Sequence, residues 1–224
     1  MQHSRDEQKK NIYRSRQLQI IGLSLIILFF VLGYAVDTKV LNVVDIQFFI
    51  LVNSAHNSVL DPVMVFLSLY GREVVWGGLG VGLFLFGGER KKKAAMTFGL
   101  IVLVLMGVGM ASKYFYDRPR PYDTISGVRL LVGRESDASF PSGHTLIVAG
   151  GAVVAWLNLK RRWAAILTFE AALVSYSRIY VGVHFPTDVL GGALLGAGCA
   201  FIVCSDTRII DGIYSRLPAI LRAK

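Results

Sequence analysis

Residues 18–36 read LQIIGLSLIILFFVLGYAV, nineteen consecutive residues without a charge. At about 1.5 Å of rise per residue such a helix crosses the roughly 30 Å hydrocarbon core of a bilayer. The run is too long for the apolar core of a signal peptide, and no small-residue cleavage site follows it, so it is read as a retained anchor. Comparable apolar runs recur within 62–88 and at 94–112, 145–157, 163–180 and 187–204. Six runs predict an all-α, polytopic membrane protein built as a six-transmembrane-helix bundle.

Composition agrees. Hydrophobic residues make up 54% of the 224-residue chain, charged residues only 17%, and mean hydropathy is +0.53. The net charge of +9 does not point to nucleic acid, because the cations sit in short clusters between apolar runs. They fit the topology rule that cytoplasmic loops hold Lys and Arg. With the N-terminus inside, segments 1–17, 89–93, 158–162 and 205–224 carry sixteen of the twenty-four cations. The expectation is one integral membrane domain over 1–224. Within it, 1–17 is a short mobile cytoplasmic tail, 18–204 the bundle and 205–224 a basic cytoplasmic tail, in a multi-pass protein of the plasma or inner membrane.

Three details are less uniform. Val40–Leu51 interleaves apolar residues with Asn42, Asp45 and Gln47 and reads as an amphipathic interfacial segment. Gly71-Arg72-Glu73 interrupts the second span, which either is long with a charge pair near one end or begins near Val74. Gly78-x3-Gly82 and Gly192-x3-Gly196 are positions where helices can approach closely. Cys199 and Cys204 are five apart on one run, which does not suit a mutual disulfide.

The polar chemistry gathers in three stretches: Lys113-YFYDRP-Arg120-Pro121, Pro141-Ser142-Gly143-His144 and Ser177-Arg178-IYVGV-His184-FPT-Asp188. The topology places all three on the outer side, at ends of the third to sixth spans. Charged groups there are costly unless they have a task. Lys113, Arg120 and Arg178 suit an anion with several oxygens. Ser142 is an N-cap residue, and the amide of Gly143 would face a bound anion at a helix start. His144 beside it is a candidate general acid. Asp188, four residues after His184, can accept one imidazole N–H and leave the other nitrogen free to attack phosphorus. The blander alternatives are snorkelling cations, an ordinary cap and a helix-start carboxylate. His3 lies in the tail, and His56 is assigned to the interface. Two histidines and a carboxylate could hold a metal, but the surrounding cations would repel one, so neither metal nor cofactor is expected.

The chain therefore resembles the type 2 phosphatidic acid phosphatase family, whose superfamily includes the vanadium haloperoxidases. Its pattern K-x6-R-P, P-S-G-H and S-R-x5-H-x3-D is complete here, within roughly residues 60–204. The resemblance implies a lipid phosphatase that needs no metal. His184 would form a phosphohistidine, Asp188 would orient it and His144 would protonate the leaving group. Lys113, Arg120, Arg178, Ser142 and the Gly143 amide would hold the phosphate. Arg118 and Asp117 have no assigned role; a diphosphate is one use for Arg118. The expected substrate is a lipid phosphate or diphosphate in the outer leaflet, foremost an isoprenoid diphosphate such as undecaprenyl diphosphate. Phosphatidylglycerol phosphate or phosphatidic acid comes next. A lipid phosphotransferase and a non-enzymatic transporter or scaffold are the alternatives of another class.

Overall fold

The computed structural model describes residues 2–55 and 57–222, with residues 2–11 described by backbone alone. The expectation for His56, and the side chain of His3, lie outside the described residues. Every regular element among the described residues is helical: α1 (Gln2–Asp37), α2 (Asn42–Asn53), α3 (Leu60–Phe66), a π-helical stretch (Leu67–Gly77), α4 (Gly78–Phe86), α5 (Glu89–Tyr116), α6 (Pro121–Thr124), α7 (Gly143–Asn158), α8 (Arg161–Tyr180), α9 (Pro186–Cys204) and α10 (Arg208–Ser215). A helical segment stands at each of the six expected apolar runs. Three of them, within Ile12–Asp37, Glu89–Thr124 and Pro186–Cys204, are long and apolar enough by themselves to cross a membrane. Ile20, Leu23, Ile27, Phe30 and Val31 of α1 are exposed. An apolar surface of that extent belongs against lipid rather than water, and the protein is a helical membrane protein.

The central helix is α7, because it serves two cores. One face packs Leu146, Val153 and Val154 with Phe29 of α1, Ile101 and Leu105 of α5 and Leu195 of α9. Val148 and Ala155 lie in a second cluster with Trp76, Leu167 and Val174. Close approach of α7 and α9 depends on glycine. A Cβ on Gly192 would stand 2.6 Å from the Ser142 carbonyl oxygen, and one on Gly196 would penetrate the Leu146 carbonyl. The second expected pair behaves differently: a Cβ on Gly78 or Gly82 would meet nothing within 4 Å, so those glycines make no close helix contact among the described residues.

Four further expectations are settled by packing. The segment expected as the second span is continuously helical from Leu60 to Phe86 across its π-helical stretch. Arg72 and Glu73 do not end it, because they pair with each other, Arg72 Nε donating to Glu73 Oε1 at 2.8 Å. The basic segment before Leu18 is helical from Gln2 rather than a loose tail, and Ser15 Oγ donates to Ser205 O at 2.8 Å. After Ser205 the chain folds back as α10, with Ile210 and Tyr214 buried and Asp211 2.8 Å from Lys93. The interfacial segment is α2, but its polarity runs inward. Asp45, Phe49 and Asn53 form its buried stripe, while Val43, Val44, Phe48 and Leu51 are exposed. Asn53 Nδ2 donates to Tyr180 O and to Arg129 O, both at 2.9 Å.

Gly196→Ala forces a methyl group into the backbone of α7 and should cost about 1–3 kcal/mol. Gly78→Ala enters open space and should be neutral or slightly stabilising. Thermal unfolding of both variants in detergent should show a lower Tm for the first alone; equal Tm values would contradict the close packing of α7 on α9.

Candidate active site

The three polar stretches meet at one end of the bundle. Pro186 starts α9 at its first turn, where its missing N–H costs nothing and its fixed φ suits a helix. Asp188 then occupies the third helical position and Oδ2 accepts the Phe185 backbone N–H at 2.8 Å. Asp188 is thus the helix-start carboxylate that the sequence suggests, and this does not exclude the functional reading. His184 Nδ1 lies 3.4 Å from the same Oδ2, and its Nε2 lies 3.5 Å from Arg120 Nη1. One ring nitrogen faces the carboxylate and the other faces the cations. Ser139, buried and unnoticed in the sequence, donates its hydroxyl to Asp188 Oδ2 and lies 3.4 Å from His184 Nδ1.

His184 is 1% exposed and Asp188 fully buried. Burial pushes the His184 imidazole down to about 4, although Asp188 works in the opposite direction. The ring is therefore neutral near pH 7, as a nitrogen nucleophile must be.

Arg120 and Arg178 are 2% and 1% exposed, so each guanidinium needs partners. Arg120 Nη1 donates to Val183 O at 3.0 Å, and its Nη2 lies 2.6 Å from Asp137 Oδ1 and 2.7 Å from Glu135 Oε2. Arg178 Nη1 donates to Ser68 Oγ at 2.6 Å and to Ser68 O at 3.1 Å, and its Nη2 pairs with Glu135 Oε1. Lys113 Nζ lies 3.0 Å from Asp137 Oδ2 and donates to Ala138 O. Glu135 thus bridges the two arginines, and Asp137 bridges Lys113 to Arg120. Burial alone would raise the Glu135 carboxyl, but Arg178 above all, then His184 and Arg120, hold it below the usual range. Lys113 and Arg120 overcome burial in the same way at Asp137.

The second stretch sits between the other two. Ser142 occupies the N-cap position of α7, but its side chain does not cap the helix. Its hydroxyl accepts from Thr145 Oγ1 at 3.3 Å, and its backbone N–H donates to Asp188 O at 2.9 Å. The expected side-chain cap is therefore absent: the hydroxyl meets the Thr145 side chain instead of a backbone N–H of α7. A Cβ on Gly143 would meet no atom within 4 Å, so open space lies beside that part of the backbone. His144, on the first turn of α7, stands within the field of Arg178, Arg72, His184 and Lys113.

All eight expected site residues therefore belong to one cluster. Sequence reading missed Ser139, Glu135 and Asp137. The signal for the two carboxylates was the number of cations: so many at one buried end require counter-ions, and the loop after Arg120 is where acidic residues were available. Arg118, which had no assigned role in the sequence, lies 2.6 Å from both Asp45 Oδ2 and Asp188 Oδ1, because two buried carboxylates need a shared cation. Among the described residues no group of three or more metal-ligating side chains is found.

Comparison with known proteins identifies relatives in sequence and in fold. A sequence model of the PAP2 superfamily matches residues 94–209. The chain is 41% identical over 159 residues to an undecaprenyl-diphosphatase of Sulfolobus acidocaldarius, an alignment covering 70% of this chain and 76% of that one. Among solved structures it is similar to a transmembrane PAP2-type phosphatidylglycerolphosphate phosphatase from Bacillus subtilis, with a TM-score of 0.65, 27% identity and coverage of 88% of this chain and 98% of that one. It is also similar to LpxE of Aquifex aeolicus, with a TM-score of 0.61, 34% identity and coverage of 71% and 94%. The extent of these matches and the shared helical architecture establish that the chain belongs to the PAP2 superfamily.

Proposed function

We propose that the protein is a membrane lipid phosphatase that hydrolyses an isoprenoid diphosphate, undecaprenyl diphosphate foremost, without a metal and through a phosphohistidine. The observation that carries this reading is the division of His184: Nδ1 is turned to Asp188 and Nε2 to Arg120. Lys113, Arg120 and Arg178 would bind the terminal phosphate, with Ser142 and the Gly143 amide. Their charge would stabilise the transferring phosphoryl group, the task a metal performs elsewhere. His184 Nε2 attacks the terminal phosphorus and the P–O bond to the lipid phosphate breaks. His144, which takes up its proton as the bound phosphates offset the neighbouring cations, protonates that leaving oxygen. Water, giving a proton back to His144, then cleaves the P–N bond, releasing orthophosphate and neutral His184. The sum is diphosphate lipid plus water to monophosphate lipid plus orthophosphate.

The reading also includes six membrane spans, cytoplasmic termini and an outer-facing site. The loop charge asymmetry supports it, as does the distance in the fold between the basic segments, joined through Ser15–Ser205 and Lys93–Asp211, and the cation–carboxylate end. The name of the Sulfolobus relative favours the diphosphate lipid. The Bacillus structure, which covers more of the chain, favours phosphatidylglycerol phosphate as the second reading.

Purified protein in detergent and chelator, offered a panel of lipid phosphates and diphosphates, should release orthophosphate fastest from the isoprenoid diphosphate. Transfer of phosphate to another lipid, seen by mass spectrometry, would instead identify a phosphotransferase. His184→Ala should lose activity on the order of a thousandfold or more; full activity would overturn the mechanism. Because kcat/KM reports groups of the free enzyme, its acid limb should have a midpoint near pH 4. The imidazole must be neutral to attack, so rate falls as pH drops through that value. A midpoint at the ordinary histidine value of about 6.5 would contradict the buried nucleophile. Asp137→Asn should strengthen inhibition by orthovanadate about three- to tenfold, since Lys113 and Arg120 lose a competing anion; weaker inhibition would show that Asp137 assists binding.

A further inference from the structure

Asp188 has two oxygens with different neighbours. Oδ2 faces His184 Nδ1 and accepts from Phe185 N. Oδ1 takes Arg118 Nη1 at 2.6 Å. The other terminal nitrogen of Arg118 reaches Asp45 Oδ2, also at 2.6 Å. Asp45 is 3% exposed and comes from α2, outside the segment matched by the superfamily model. It is fixed from the other side by α9: Thr187 N donates to Oδ1 at 2.9 Å and Thr187 Oγ1 to Oδ2 at 2.5 Å. Thr187 Oγ1 also accepts from Arg118 Nη1 at 2.7 Å. The guanidinium lies over the Phe185 ring at 4.1 Å, and Phe185 packs on Phe49 of α2.

This arrangement does two things. The fork of Arg118 has a fixed geometry, so anchoring one arm on Asp45 fixes where the other meets Asp188. Asp188 cannot then rotate Oδ2 away from the imidazole. Asp45 also balances the charge of Arg118, which would otherwise draw on Asp188 alone. We infer that Asp45 and Arg118 are positioning residues that act on His184 through Asp188, making α2 part of the catalytic apparatus. The inference rests on the reading of His184 as nucleophile and Asp188 as its orienting group.

Asp45→Asn keeps the shape and an acceptor for Thr187 but leaves Arg118 unbalanced. The variant should have kcat lowered about tenfold to hundredfold, the usual range for loss of a group that orients a catalytic or ligating histidine, with KM within about twofold. The acid limb of kcat/KM should also move to lower pH, because a weakened Asp188 supports the protonated imidazole less. The charged and titratable groups facing His184 are Asp188 on α9, Arg120, Arg178 on α8, Glu135 in the loop and His144 on α7; none is altered, so the displacement reports on Asp188. Asp45→Asn/Arg118→Gln removes both charges and should return the limb towards its original position. Asp45→Glu, which keeps the charge, should recover part of kcat. A purely structural role would change the yield or Tm of folded protein and leave kcat and the limb unmoved, and that result would overturn the inference. Failure of both Asp45→Asn and the double variant to fold would overturn it too, by assigning the pair to stability. His184→Ala is measured in parallel: if it stays active the underlying reading fails, whereas an inactive His184→Ala with an unaffected Asp45→Asn sinks the inference alone.

Discussion

A charge at the buried end of this bundle must have an opposite charge beside it, and the architecture there follows from that requirement. Water is scarce, so an unpaired guanidinium or carboxylate would be far costlier than on a soluble surface. Arg120 and Arg178, almost without exposure, share Glu135. Asp45 and Asp188 share Arg118. These pairings tie α2, the loop after α6, α8 and α9 into one unit, although their residues are spread from position 45 to position 188. The sites of greatest cost are also the sites where the fold is cross-linked.

Pairing alone would not fix distances, and packing of α7 on α9 supplies the rest. Gly192 and Gly196 let the backbones approach until the Ser142 N–H reaches the Asp188 carbonyl at 2.9 Å. The starts of both helices are thereby locked side by side. Helix N-termini present free N–H groups and the positive end of the dipole. The positive ends of both dipoles lie beside the paired cations and carboxylates, with His184 in the short connection that enters one of the two helices. The helices that form the core thus also direct the field at the site.

Most of the site was legible because the chemistry is local in sequence. Lys113 and Arg120, Ser142 to His144, and Arg178 with His184 and Asp188 fall at helix ends, and counting apolar runs was enough to bring those ends to one face. The helices were legible for the same reason: long apolar runs have few other solutions in a bilayer. What was not legible depends on pairing across distance. Nothing near Asp45 announces that it faces inward, since Val43, Val44 and Phe48 around it look like the buried side of an ordinary amphipathic helix; in lipid the sense is reversed. Arg118 looked spare because its partners lie 73 residues before it and 70 after it. Ser142 satisfied every local rule for an N-cap and occupies that position, yet its hydroxyl meets the Thr145 side chain rather than a backbone N–H.

The carboxylates of the site fall into two kinds, and the difference bears on how a substrate enters. Asp45 and Asp188 are almost wholly enclosed, on helices, and bonded to backbone N–H groups as well as to Arg118. Glu135 and Asp137 lie on the loop, with side chains 31% and 54% exposed. Their oxygens occupy positions around Lys113, Arg120 and Arg178 that phosphate oxygens could take, since carboxylate and phosphate make the same bidentate contacts to a guanidinium. A diphosphate arriving among those cations adds more negative charge than they can balance while both loop carboxylates remain ionised beside them. The partly exposed pair can turn outward to water at small cost, whereas the enclosed pair cannot move without stranding a buried charge. On the proposed reading, the first pair offsets most of the charge of Lys113, Arg120 and Arg178 until substrate displaces it, and the second keeps the nucleophile in place while it does so.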